Sequence, residues 1–235
     1  MGHGIGAFIV KLFLYGIPLL FAVVLHEIAH GWMAYKLGDY TAKLKGRLTL
    51  NPLHHIDPVG TIILPLLELL TVGRIFFGWA RPVPINFLAL RNPKRDMVYV
   101  AAAGPAANII QAVVYALLIR AFFLIEPSLG YYLRMPGYIN FSDAPVLIRI
   151  LLPLTQMAFF GVIINLFLAF FNLIPFPPLD GSRIVVGLAP PSVGIFYARL
   201  EPYGMMILLL ILFLVPGLIS SILNPIVSLA LSILL

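Results

Sequence analysis

His26 and His30 stand four residues apart in the run His26-Glu27-Ile28-Ala29-His30. Residues at that spacing share one face of a helix, so both imidazoles can bind one metal ion. Glu27 is offset from the pair, yet close enough to take a proton from a water that the metal activates. A bound Zn²⁺ lowers the pKa of such a water toward about 7. The plain alternative is a pair of core histidines with ordinary hydrogen bonds. The surroundings weigh against it. Residues 5–36 are apolar apart from Lys11, Pro18 and this cluster. Two imidazoles and a carboxylate are costly in such a setting unless they are paired or ligated.

A catalytic zinc takes three protein ligands and a water. The chain contains no cysteine, so thiolate sites, Fe–S clusters and disulfides are excluded and the third donor must be oxygen or imidazole. The acidic candidates are Glu27, Asp39, Asp57, Glu68, Asp96, Glu126, Asp143, Asp180 and Glu201. Asp180 stands out because it follows an apolar helix in Leu179-Asp180-Gly181. Gly181 permits close backbone approach or a positive φ. Asp180 would serve equally as the N-cap of a helix starting at Gly181. The spacing leaves both roles open. His54 and His55, in a polar turn beside Pro52 and Asp57, read as surface or interfacial histidines. Glu68 is an embedded carboxylate within reach of Arg74.

These groups need elements to hold them, and the composition says which kind. Of 235 residues, 61% are hydrophobic and only 10% charged. That is too little charge to cover a soluble surface, so a soluble domain and intrinsic disorder are both excluded. The pattern predicts an all-α polytopic membrane protein with about 4–6 transmembrane helices, at roughly 20 residues per span. The N-terminal apolar run has no basic flank and no cleavage site, and reads as a retained helix. Alternation over Thr41–Leu50 predicts a β-hairpin between the first and second full spans. Residues 58–72 are apolar but contain Pro65 and Glu68. As a helix they reach about 22 Å, short of a core roughly 30 Å thick, which predicts a re-entrant segment. Residues 96–125, 146–171 and 203–235 are the remaining long apolar stretches. One integral-membrane domain over 1–235 is expected, with a catalytic core at about 5–190 and C-terminal apolar helices at about 203–235.

Net charge is +6, but the charges lie in loops between apolar stretches and act as topology signals, not as a nucleic-acid footprint. Lys36, Lys43, Lys45, Arg47, Arg74, Arg81, Arg91, Lys94 and Arg95 crowd one stretch, and Arg183 and Arg199 follow a later helix. If 58–72 does not cross, the positive-inside rule puts 37–95 and 172–202 in the cytosol and 126–145 outside. Both polar motifs then fall at cytosolic helix ends of a multi-pass cell-membrane protein.

The first motif, together with Asn172-Leu173-Ile174-Pro175-Phe176-Pro177-Pro178-Leu179-Asp180-Gly181, resembles the site-2 protease family of intramembrane zinc metalloproteases. The family pattern is H-E-x-x-H in one transmembrane helix and N-x-x-P-x-x-x-x-D-G at the end of a later one. Gly104-Pro105-Ala106-Ala107-Asn108 resembles the G-P-x-x-N element between them. The three motifs follow the family's order over residues 26–181. The resemblance implies one Zn²⁺ per chain held by His26, His30 and Asp180, with Glu27 as general base. It also implies that Asn172 holds the substrate or polarises its carbonyl. Asn108 is a second candidate for substrate contact, although helix-packing glue is the reading its setting favours. The 126–145 loop is too short for a PDZ domain and the C-terminal residues read as helix, so the resemblance is to compact bacterial and archaeal members without PDZ or CBS domains.

The function expected is cleavage of a peptide bond within or beside the transmembrane helix of another membrane protein. The partners expected are transmembrane substrates and the bilayer, with no nucleic acid; a homo-oligomer is compatible with the pattern. Gly78-Trp79-Ala80-Arg81-Pro82-Val83-Pro84 reads as an interfacial loop with a Trp anchor, or as an edge for an unwound substrate strand. The rival readings are a metal-ion or proton transporter, since embedded His and carboxylates also mark ion pathways, and a non-catalytic membrane scaffold of the same fold.

Overall fold

The computed structural model describes residues 5–64, 66–67, 79–134, 144–215 and 217–235. Glu68, Arg74, Gly78 and Asp143 lie outside these residues, as do parts of the 58–72 and 126–145 segments. The described residues are helical or irregular and contain no strand.

Helix α1 runs over Ile5–Lys36. It stops because Gly38 turns left-handed at φ 112°. The Asp39 N–H then bonds the Ala34 carbonyl at 2.9 Å and the Gly38 N–H bonds the Tyr35 carbonyl at 3.3 Å. That pairing satisfies the last carbonyls of a helix that Gly alone can end so tightly. Asp39, fully buried, next accepts the N–H of Thr41 at 2.9 Å and that of Asn86 at 2.6 Å.

This bond pattern corrects the hairpin expected over Thr41–Leu50. Thr41–Leu44 forms a short helix, α2, with Leu44 N–H to the Tyr40 carbonyl at 2.9 Å and Lys45 N–H to Thr41 at 3.1 Å. Gly46, at φ 63°, ends it. The Asp39 carboxylate starts a helical turn whose N–H groups bond locally, leaving none for a cross-strand ladder. Pro52–His54 makes a 3-10 turn, and Pro58–Ile63 a π-helical turn capped by Asp57 through the N–H groups of Val59 and Gly60.

Residues 79–86 are irregular and lead through a 3-10 turn at Phe87–Ala89 into α3, Pro93–Ile125. Then come α4 (Leu129–Arg134), α5 (Val146–Asn172), α6 (Asp180–Leu188), α7 (Pro191–Leu214) and α8 (Leu218–Leu234). Among the described residues, four segments are long and apolar enough to cross a membrane: Leu12–Lys36, Pro93–Ile125, Val146–Asn172 and Pro191–Leu214. Their outward faces carry large apolar side chains such as Ile110 and Ile150, which lipid would cover.

The chain divides into two compact units. The first comprises Met1–Ala22, Asn108–Phe171 and Ile211–Leu235. Its core joins Ala112, Ala116, Ile119, Ala158, Val162, Leu166 and Val227. Small residues such as Ala and Gly let backbones approach, and Gly161 is close-packed against the Tyr115 ring. The second unit comprises Val23–Ala107 and Asn172–Leu210. Its core includes Ala34, Leu90 and Val100, and it carries every group of the site described next.

Candidate metal centre

The second half of α1 presents His26 and His30, both buried, with their Nε2 atoms 3.0 Å apart. Asp180 opens α6, and its Oδ2 lies 3.2 Å from each of those nitrogens. One ligand atom from each of the three residues falls within 4.8 Å of the others. Asp180 is the first residue of α6, not its N-cap; Leu179 holds that position. Its carboxylate therefore turns to the imidazoles. Gly181 is needed for close approach, since a Cβ there would lie 2.5 Å from the Ile174 carbonyl oxygen. It has no positive φ.

The donor set fits a metal ion. The Nδ1 of His30 meets the Val100 carbonyl at 2.7 Å. A carbonyl only accepts, so Nδ1 carries the proton and Nε2 keeps its lone pair, as in a histidine oriented for metal binding. Asp180 Oδ2 is buried with no hydrogen-bond partner of its own. Electron-rich atoms thus converge in a dry site, and a borderline divalent cation such as zinc suits two imidazoles and a carboxylate.

Helix α3 keeps the space open. Gly104, one turn beyond Val100, faces both histidines, and a Cβ there would overlap His30 Nε2 and lie 2.6 Å from His26 Nε2. Gly104→Ala is expected to put a methyl group where the metal belongs. Metal content of the purified protein should fall from about one per chain to a small fraction, while helix content by circular dichroism stays unchanged. Wild-type metal content in that variant would show that the glycine serves packing alone.

Glu27 is half-buried, and its Oε2 accepts the Val83 N–H at 2.8 Å. Pro82 and Pro84 have no N–H, so Val83 carries the one donor of this stretch. Asn172 is half-buried at the end of α5, on the stretch leading to Asp180. Asn108 is fully buried in the other unit, where its Nδ2 donates to the Ala22 carbonyl at 3.0 Å and to Asn165 Oδ1 at 2.8 Å. Those bonds are the interhelical glue expected of a polar side chain in an apolar bundle. His54 is exposed, but His55 is buried and bonds the Thr49 carbonyl at 2.9 Å, which corrects its placement on the surface. Neither joins the cluster.

Three groups escaped the sequence reading: the Val100 carbonyl, the clearance at Gly104 and the Val83 N–H. The Pro-Val-Pro flanks are the one sequence signal that isolates a backbone donor; the others depend on packing.

A family model described as Peptidase family M50 matches residues 14–215. The chain is 40% identical over 200 residues to "Putative zinc metalloprotease YwhC" of Bacillus subtilis, covering 85% of this chain and 80% of that protein. It is 31% identical over 144 residues to "Putative zinc metalloprotease Rip2" of Mycolicibacterium smegmatis, covering 61% of this chain and 53% of that one. The Mycobacterium tuberculosis protein of the same name is 25% identical over 199 residues, 66% of its length. No solved structure is significantly similar to this chain.

Proposed function

The chain belongs to peptidase family M50, and from that premise we propose that it is a zinc-dependent intramembrane endopeptidase. Its substrates would be membrane proteins cut within or next to a transmembrane helix. The observation that carries this reading is the convergence of His26 Nε2, His30 Nε2 and Asp180 Oδ2 beside Glu27.

His26, His30 and Asp180 would hold the metal. Bound zinc supplies Lewis acidity and makes water acidic enough to lose a proton near neutral pH. Glu27 takes that proton at one carboxylate oxygen and delivers it to the leaving nitrogen. The Val83 N–H fixes Oε2, which leaves Oε1 for the exchange. Such a base contributes about 10²- to 10⁴-fold. Asn172 is assigned to the substrate carbonyl, and Asn108 to helix packing. Amides of a helical substrate are already bonded, so the substrate must unwind locally before it can be attacked.

The test is cleavage of a single-span reporter in proteoliposomes, with and without chelator, alongside metal analysis. Metal-dependent cleavage supports the proposal. Metal flux without cleavage would turn the reading to a transporter, and bound metal with neither activity to a scaffold.

The site is assigned to the cytosolic side from the basic residues of 37–95 and 172–202. The cysteine-free sequence makes single-cysteine variants clean reporters. Cysteines at 45 and 92 are expected to label from the cytosolic side and one at 128 from the outside. Opposite labelling of 45 and 92 would mean that 58–72 crosses the membrane and would reverse part of the topology.

A further inference from the structure

Arg47 is 8% exposed, and among the described residues it makes no ion pair with a carboxylate. Gly46, at φ 63°, turns the chain, and the Arg47 N–H bonds back to the Ala42 carbonyl at 2.9 Å. The side chain ends on the backbone of another segment. Its Nη2 donates to the Arg81 carbonyl at 2.9 Å and to the Pro82 carbonyl at 3.3 Å. The next residue is Val83, whose N–H holds Glu27 Oε2. On the other flank the Arg81 N–H bonds the His55 carbonyl at 2.8 Å.

Helix α1 is shaped to receive this segment. Gly31 lies four residues beyond Glu27, on the same face. A Cβ at 31 would lie 2.7 Å from Val83 Cγ1 and 2.7 Å from Leu48 Cδ2. The missing side chain thus lets Val83 settle against α1 within reach of Glu27.

We infer that Arg47 is a positioning residue for the general base: it clamps the Arg81–Pro82 carbonyls so that the Val83 N–H holds Glu27 in one orientation. The inference rests on the reading of Glu27 as the base. A guanidinium is an apt clamp for two successive carbonyls, because Pro82 and Pro84 cannot anchor the stretch through N–H groups of their own. Both bonds come from one nitrogen, and the buried Nε makes none. A lysine ammonium can therefore replace part of the function, whereas a bidentate site would reject it.

The test uses the full chain in detergent and in proteoliposomes. Residue-resolved hydrogen exchange reads the Val83 amide, isolated by its proline neighbours. Arg47→Met is expected to speed that exchange at least about 10-fold and to lower kcat on the reporter about 10- to 100-fold, with KM little changed and metal still near one per chain. Arg47→Lys should restore both in part, and Lys45→Met, at an exposed neighbour, should match wild type. Unchanged Val83 exchange or unchanged kcat in Arg47→Met overturns the inference. Loss of fold and metal in Arg47→Met moves the decision to Arg47→Lys, where exchange and kcat must shift together; movement of one alone also overturns it. The two readings fail separately. If Glu27→Gln keeps full turnover, the base assignment falls. If Glu27→Gln is inactive while Arg47→Met is not, the clamp alone falls.

Discussion

Glu27→Gln is expected to reduce cleavage about 10²- to 10⁴-fold while metal stays near one per chain. The two results come from different atoms. The amide is nearly isosteric and can still accept the Val83 N–H, so the 79–86 segment keeps its contact. The atoms that would bind the metal belong to His26, His30 and Asp180, and none of them is touched. What disappears is a carboxylate able to take the water's proton. Paired metal analysis and turnover on the same preparation check this. Near-wild-type turnover with metal bound would remove Glu27 from the mechanism. Joint loss of metal and turnover would make Glu27 a ligand or a structural residue instead.

Asp180→Asn should act on metal first and on activity as a consequence. The variant exchanges a charged oxygen donor for a weak neutral one and leaves two imidazoles without an anion between them. Even losses one shell further out cost about 10- to 100-fold in affinity, so the drop here should be at least that large. Competition with a chelator of known affinity measures it directly. Excess zinc should restore part of the activity, which it cannot do for Glu27→Gln. Because Leu179 is the N-cap of α6, the helix should survive the change. If metal affinity is unaltered, Asp180 is not a ligand despite its 3.2 Å approach to both histidines.

Several features are legible in the sequence because their causes are local or compositional. Ten per cent charged residues cannot cover a soluble surface, so the membrane class follows from arithmetic. Three of the apolar runs, 5–36, 96–125 and 146–171, supply helices long enough to span a bilayer; the fourth such helix, Pro191–Leu214, begins inside the loop expected over 172–202 and takes only the first part of the 203–235 run. The His26–His30 pair follows from the helical repeat, which sets residues four apart on one face wherever the helix lies. The hairpin expected at Thr41–Leu50 fails for the opposite reason. Alternation over ten residues is a weak signal, and one buried carboxylate, Asp39, supplies a competing turn.

What only the tertiary structure decides is which distant groups face that pair. Asp180 was equally a ligand or a cap by spacing, and the path of the chain after α5 turns its carboxylate to the imidazoles. Gly104 reads as a packing glycine along the chain, and only the approach of α3 to His26 and His30 shows that its missing side chain leaves the space before their Nε2 atoms clear. Arg47 reads along the chain as one more topology charge, and only the fold sets its guanidinium on the carbonyls beside Val83. The physical reason is common to all three. Helical periodicity and charge counts act over a few residues and can be read along the chain. A lone pair, a backbone N–H and an empty volume acquire meaning only from what packing brings against them.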